Sequence, residues 1–201
     1  MQTAADALAL AASYHLDVDP VELSAGYRFL PEDVQVDLFL VDTASGGAGF
    51  ATEAGRQIDQ ILQATLRLVA ECPRQCEPSC TACLRHYGNR IRHAQLDRRL
   101  AAQLLRYLID DQLPAIPPTN LQTKLLEPLK RWFELEGSMV SHSSRAPLTV
   151  ERNHRTITIG VYHALLDPLS PLFHHPLQRY GKLVSDYLVS RDLPAACQQI
   201  I

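Results

Sequence analysis

Long apolar runs are missing from this 201-residue chain. No stretch approaches the ~18 consecutive apolar residues of a bilayer span, and no basic stretch followed by an apolar one opens it as a leader would. The chain is therefore expected to be soluble and cytoplasmic, with no membrane partner. Glycine is scarce, at 9 residues against 13 prolines, which excludes a collagen-like chain; with 46% apolar and 20% charged residues the composition is that of a globular protein with a real core. An excess of one charge is also lacking, since the formal net charge is only −3. Length excludes more. At roughly 100–200 residues per domain, one domain or two small ones fit, but not the paired RecA-like lobes of a helicase motor or a large barrel enzyme. No Lys-Ser/Thr pair follows the glycine-rich loop, so there is no P-loop. The chain is expected not to be an enzyme in its own right.

What is present reads as α+β: a small sheet packed with helices, then a second α+β segment. Apolar residues at Ala4, Leu8, Ala11 and Ala12 predict a short helix ending before Pro20. Val34–Val41 reads as a strand entering a core. Ile58, Ile61, Leu62, Thr65, Leu66 and Val69 recur with helical period, predicting one helix over 52–71, and Leu96, Leu100, Leu104 and Leu108 mark another. The three prolines of residues 113–118 form a stiff connector, giving domains over 1–112 and 119–201. Beyond it, a helix carrying Leu121, Leu125, Leu129, Trp132 and Phe133 is expected to kink at Pro128. Leu148–Arg152 and Thr156–Tyr162 flank Asn153-His154 as a hairpin, and a last helix is expected over 177–189.

The chemistry concentrates in four cysteines, Cys72, Cys76, Cys80 and Cys83, on one loop between two helices, with Cys197 apart. Four thiolates at tetrahedral distances make a closed structural zinc site, and the clustering argues for metal rather than disulfide. Pro73 and Pro78 keep the loop free of continuous helix. An iron–sulfur cluster is the alternative, since soft thiolates do not separate the two metals. The loop Gly46-Gly47-Ala48-Gly49 joins a strand to a helix. It reads as a tight turn held by Asp42 at least as well as it reads as an anion cradle.

The modest net charge hides a strong asymmetry. Residues 1–63 carry two arginines against ten acids. Residues 84–106 carry six arginines against Asp97 alone, a net of +5. That block holds Arg85, Arg90, Arg92, Arg98, Arg99 and Arg106, with His86, His93 and Tyr87, and it follows directly on the last clustered cysteine. Arginine forks and a stacking aromatic suit DNA. The alternative is that several of these arginines pair with the acidic N-terminal segment. The remaining histidines, His142, His154, His163, His174 and His175, form no metal motif. A nuclease pair of His163 and Asp167 is a minor reading.

The order of these features resembles the MrfA-type zinc-binding (MZB) domain at the C-terminal end of superfamily 2 DNA helicases, such as MrfA-like repair helicases, and components of DISARM-type antiphage defence systems. The resemblance covers about residues 4–110. It rests on Asp42-x3-Gly46-Gly47-x-Gly49-Phe50 together with the four cysteines, followed by Tyr87, Asn89 and Leu96-Asp97-Arg98. It implies that Cys72, Cys76, Cys80 and Cys83 ligate zinc and that Asp42, Gly46, Gly47 and Gly49 form a signature turn. It further implies a superfamily 2 helicase core as partner, in cis if the chain is a piece of one and in trans if it stands alone. A protein-interaction subunit with a purely structural zinc is the alternative function.

Overall fold

The computed structural model describes residues 1–30, 32, 35–152, 154–171 and 173–200. Val34, expected to open a strand, and Asn153, expected in a hairpin turn, lie outside the described residues. The fold is α+β and divides into two compact units, residues 1–113 and 114–201.

The first unit is built around α1 (Gln2–His15). Ala4, Ala5, Ala7, Leu8, Leu10, Ala11 and Ala12 of this helix are all buried, so it is apolar nearly all round and lies inside the unit. Its alanines let neighbours approach closely. These neighbours are the antiparallel pair β1 (Leu23–Leu30) and β2 (Gln35–Asp42), and the helices α3 (Ile58–Ala70) and α4 (Arg98–Asp110).

The expected helix over 52–71 is two helices, α2 (Phe50–Arg56) and α3, separated at Gln57, whose φ and ψ of −115° and 24° are not helical. Gly55 supplies backbone freedom just before the break. Strand β1 has no counterpart among the elements read from sequence. Gly26 and Arg28 interrupt its pattern, and the ring of Phe39 fills the space over Gly26, where a Cβ would lie 2.6 Å from Phe39 Cζ. On α4 the buried stripe is Arg98, Ala101, Ala102 and Leu105, while Leu108 is exposed. A strict four-residue leucine repeat drifts round a helix of 3.6 residues per turn and leaves the core face.

The second unit is a four-stranded sheet with helices. α5 (Thr119–Leu125) and α6 (Glu127–Leu135) replace the single kinked helix. Pro128 in the first turn of α6 has no N–H to offer the preceding turn, so the chain breaks at Leu126. The sheet order is β3 (Met139–Ser141), β4 (Leu148–Arg152), β5 (Arg155–Tyr162) and β6 (Lys182–Ser185), with β5 and β6 parallel. The helix expected over 177–189 is therefore wrong. Its middle is β6, followed by α7 (Asp186–Arg191) and α8 (Leu193–Ile200). Val184 pairs with Val161 and is fully buried. Gly181 permits this pairing, because a Cβ there would come within 2.7 Å of the Thr158 carbonyl oxygen. Leu126, Leu129, Phe133, Leu148, Val150, Ile159, Val161, Val184 and Ile200 form the core. No helix among the described residues is long and apolar enough to cross a membrane.

Candidate metal centre and its arginine frame

The chain leaves α3 at Ala70 and enters the cysteine loop at once. Cys72 and Cys83 are buried and belong to the same apolar cluster as Ala4, Ala7, Val69, Leu84, Leu96 and Leu105. Cys76 and Cys80 are half-buried. All four sulfurs lie within 4.8 Å of one another. The edges Cys72–Cys76 and Cys76–Cys83 are 3.6 Å, Cys72–Cys80 is 3.7 Å and Cys80–Cys83 is 3.8 Å. A tetrahedron of sulfurs about 2.3 Å from a central zinc has edges of about 3.8 Å, so the donor set fits the ion, and its spacing is far from the ~2.05 Å of a disulfide. No other cluster of three or more metal-ligating side chains occurs among the described residues.

Backbone amides prepare these sulfurs. Cys80 N–H donates to Cys83 Sγ at 3.3 Å, and Ala82 N–H donates to Cys80 Sγ at 3.4 Å. The Cys80 carbonyl accepts from the amides of Cys83, Leu84 and Arg85, which closes the turn. Amides of Cys76 and then Arg74 hold the Cys72 thiol down at about 6, whereas burial pushes Cys76 up to about 12 and raises Cys83. Four adjacent sulfurs cannot all ionise unaided. A divalent cation removes that conflict.

The basic block forms a frame around this loop. The Arg98 backbone N–H donates to the Pro78 carbonyl at 2.9 Å. Its buried guanidinium donates from Nε to the Cys76 carbonyl at 2.8 Å, and from Nη1 to the Val69 and Ala70 carbonyls at 3.0 and 3.3 Å. Val69 and Ala70 end α3, so Arg98 caps a helix C-terminus, where a cation suits the dipole, and ties it to a ligand residue. Arg85 Nε donates to Ser79 Oγ at 2.9 Å, and Arg99 pairs with Glu77. Arg92 pairs with the buried Asp6 of α1 at 3.0 Å. Arg98, expected as a DNA contact, is instead an internal clamp. Arg85, Arg92 and Arg99 also have internal partners, though Arg99 is exposed. Arg90, also exposed, lies over the Tyr87 ring at 4.2 Å.

The motif residues around the frame have structural work as well. Leu96 is fully buried, and Asp97 caps α4 by accepting from the amides of Arg99 and Leu100. Asn89 is buried in the 3-10 segment Tyr87–Gln95, where its Oδ1 accepts from His86 N–H and its Nδ2 donates to the Leu84 carbonyl. Burial lowers the His86 pKa. Asp42 closes β2, and its carboxylate accepts from the amides of Ala51 at 3.0 Å and Gly49 at 2.9 Å; the Ala51 bond first, with those of the other turn amides, holds its pKa below the ordinary carboxylate value against desolvation. Gly46, Gly47 and Gly49 have φ of 84°, 77° and 88°, so this turn needs glycine for its backbone.

The other residues singled out by sequence are dispersed. His163 Nδ1 accepts from Leu165 N–H, and its Nε2 lies 4.0 Å from Asp186; Asp167 accepts from Leu169 N–H. The nuclease pair is not assembled. His175 is buried and neutral in character, with Nε2 on the Val161 carbonyl, Nδ1 on Leu177 N–H, and its pKa lowered by burial. Sequence reasoning missed the clamp role of Arg98. An arginine placed directly after a capping aspartate at a helix start was the available signal.

Comparison with known proteins agrees with this geometry. The family model of the MrfA Zn-binding domain (MZB) matches residues 4–84, a shorter span than the 4–110 expected from motifs. Over 213 aligned positions the chain is 40% identical to Druantia protein DruE of Escherichia coli (strain UMEA 4076-1). That match takes in all of this chain and 11% of the relative's length. No solved structure matches the chain significantly.

Proposed function

We propose, from the premise that residues 4–84 carry an MrfA-type zinc-binding domain, that this chain is a non-catalytic zinc module. In this reading it helps a superfamily 2 helicase motor, in cis or in trans, to hold DNA during DNA repair or antiphage defence. One observation carries the non-catalytic part. Four sulfurs satisfy a tetrahedral ion completely and leave no open position for water or substrate, so the metal's work is structural. The helicase partner follows from the resemblance and suits the match to a small part of a much longer relative.

The DNA role rests on the two exposed arginines of the basic block, Arg90 and, although it pairs with Glu77, Arg99. Titration of labelled DNA by fluorescence anisotropy over a range of salt tests it. Affinity is expected to fall steeply with salt, as counterion release demands, and to weaken when Arg90 and Arg99 are changed to Glu. Binding that is absent, or that ignores both salt and the double variant, overturns it. The internal pairing of Arg85, Arg92 and Arg98 favours a second reading, a protein-interaction subunit with no DNA contact. Stable association with a purified helicase while free DNA is ignored selects that reading.

A further inference from the structure

The most exposed part of the basic block is also its most apolar. Tyr87 is 80% exposed and Ile91 82%, on either side of the kink that Asn89, with φ of −110°, makes in the 3-10 segment. Neither contributes to a core cluster. Arg90 sits over the Tyr87 ring and reaches the Tyr87 carbonyl from Nη1 at 3.4 Å. Among the described residues it makes no ion pair with a carboxylate. The backbone under this group is fixed from inside by Asn89 and by His93, whose Nε2 lies 2.9 Å from Asn89 Oδ1 and 3.1 Å from the His86 carbonyl. Both His93 partners accept, so Nε2 carries the proton. A large aromatic ring is thus held outward on rigid backbone, next to an arginine, in a stretch that carries no acid between residues 84 and 96.

We propose that Tyr87, flanked by Ile91 and Arg90, is a stacking platform for an unpaired base of single-stranded DNA. The assignment rests on the DNA reading given above and narrows it. A ring this exposed can stack only on a base whose own faces are free, which single strands offer and duplexes hide. Arg90 then serves the adjoining phosphate while keeping its contact with the ring. The sequence tolerance of such stacking needs no base-edge contacts.

The test uses the zinc-loaded full chain with a fluorescein-labelled oligothymidylate of about 20 nucleotides and a duplex of the same length, which together span more than one stacking site. Zinc content is measured for every variant as the check on folding. Tyr87→Ala is expected to weaken single-strand binding by about fivefold or more, the lower end of what losing one base stack costs. Tyr87→Phe is expected to retain it, and duplex binding is expected to change little in either variant. Unchanged single-strand affinity in Tyr87→Ala overturns the platform, as does a wild-type preference for duplex. If binding persists in Tyr87→Ala but is lost in Arg90→Glu, only the stacking fails and the DNA role stands. If the wild-type chain binds neither probe, both fail.

Discussion

The two units solve the problem of a core in different ways. The unit of residues 114–201 buries Leu129, Phe133, Val150, Ile159, Val161 and Val184 between a sheet and helices, and large side chains fill its interior. The cluster around the cysteine loop in residues 1–113 uses Ala4, Ala7, Ala101 and Ala102 with a few leucines, and counts Cys72 and Cys83 among its members. Small side chains bring helices close but each buries little apolar area. There the loop carrying the cysteines is held by a metal and by arginines, Arg98 on carbonyls, Arg85 on Ser79 and Arg99 on Glu77. The lesson is that polar and metal bonds can take over part of a core, and that they make the fold depend on conditions an apolar core ignores.

The contrast can be broken most severely by removing the metal. Chelation, or Cys80→Ser, is expected to abolish ordered structure around the loop, since a structural zinc contributes on the order of 10 kcal/mol to a small domain. Amide exchange should rise across residues 65–110 while the sheet of the second unit stays protected. The reverse experiment is Leu129→Ala. Leu129 is fully buried, so a loss of about 2–5 kcal/mol is expected in the second unit, with zinc stoichiometry unchanged.

A smaller and more specific effect is expected from Arg98→Ala, which deprives the carbonyls of Cys76, Val69 and Ala70 of their donor. The cost is about 1–3 kcal/mol, and zinc transfer to a competing chelator should be faster. Arg98→Lys should not restore the wild-type rate, because a single ammonium cannot replace the fork that serves the Cys76 and Val69 carbonyls together.

The smallest effect belongs to Asp42. Its folded pKa is depressed, so its contribution is complete above the ordinary carboxylate value and is lost as pH falls through the folded one. Asp42→Asn should flatten that acid limb of the stability profile by lowering neutral-pH stability slightly, toward the level both proteins share in acid. Thermal melts of both proteins across acid pH check this.

The α+β class, the strand into the glycine turn and the four-cysteine site were legible from residue order, because spacing and turn chemistry are local. Helix boundaries were less so. Gln57 breaks a periodic run through backbone conformation that a hydrophobic pattern does not carry, whereas the break before Pro128 was signalled by the proline itself. Strand β6 was hidden because Leu183-Val184 suits helix or strand equally, and its pairing with β5 depends on the bare Cα of Gly181 beside Thr158. The basic block was the hardest to interpret. Composition gives a net charge, but only three-dimensional neighbours tell that Arg98 faces three carbonyls and Arg92 faces Asp6, leaving Arg90 on the surface with Tyr87.

The central claim is that a zinc ion held by Cys72, Cys76, Cys80 and Cys83 organises the loop region of the first unit. Metal analysis of the full chain, paired with amide hydrogen exchange before and after chelation, tests it most directly. One zinc per chain without visible absorbance, and protection lost around residues 65–110 alone on chelation, is the predicted result. Iron with visible absorbance, or protection there that survives complete removal of the metal, would contradict it.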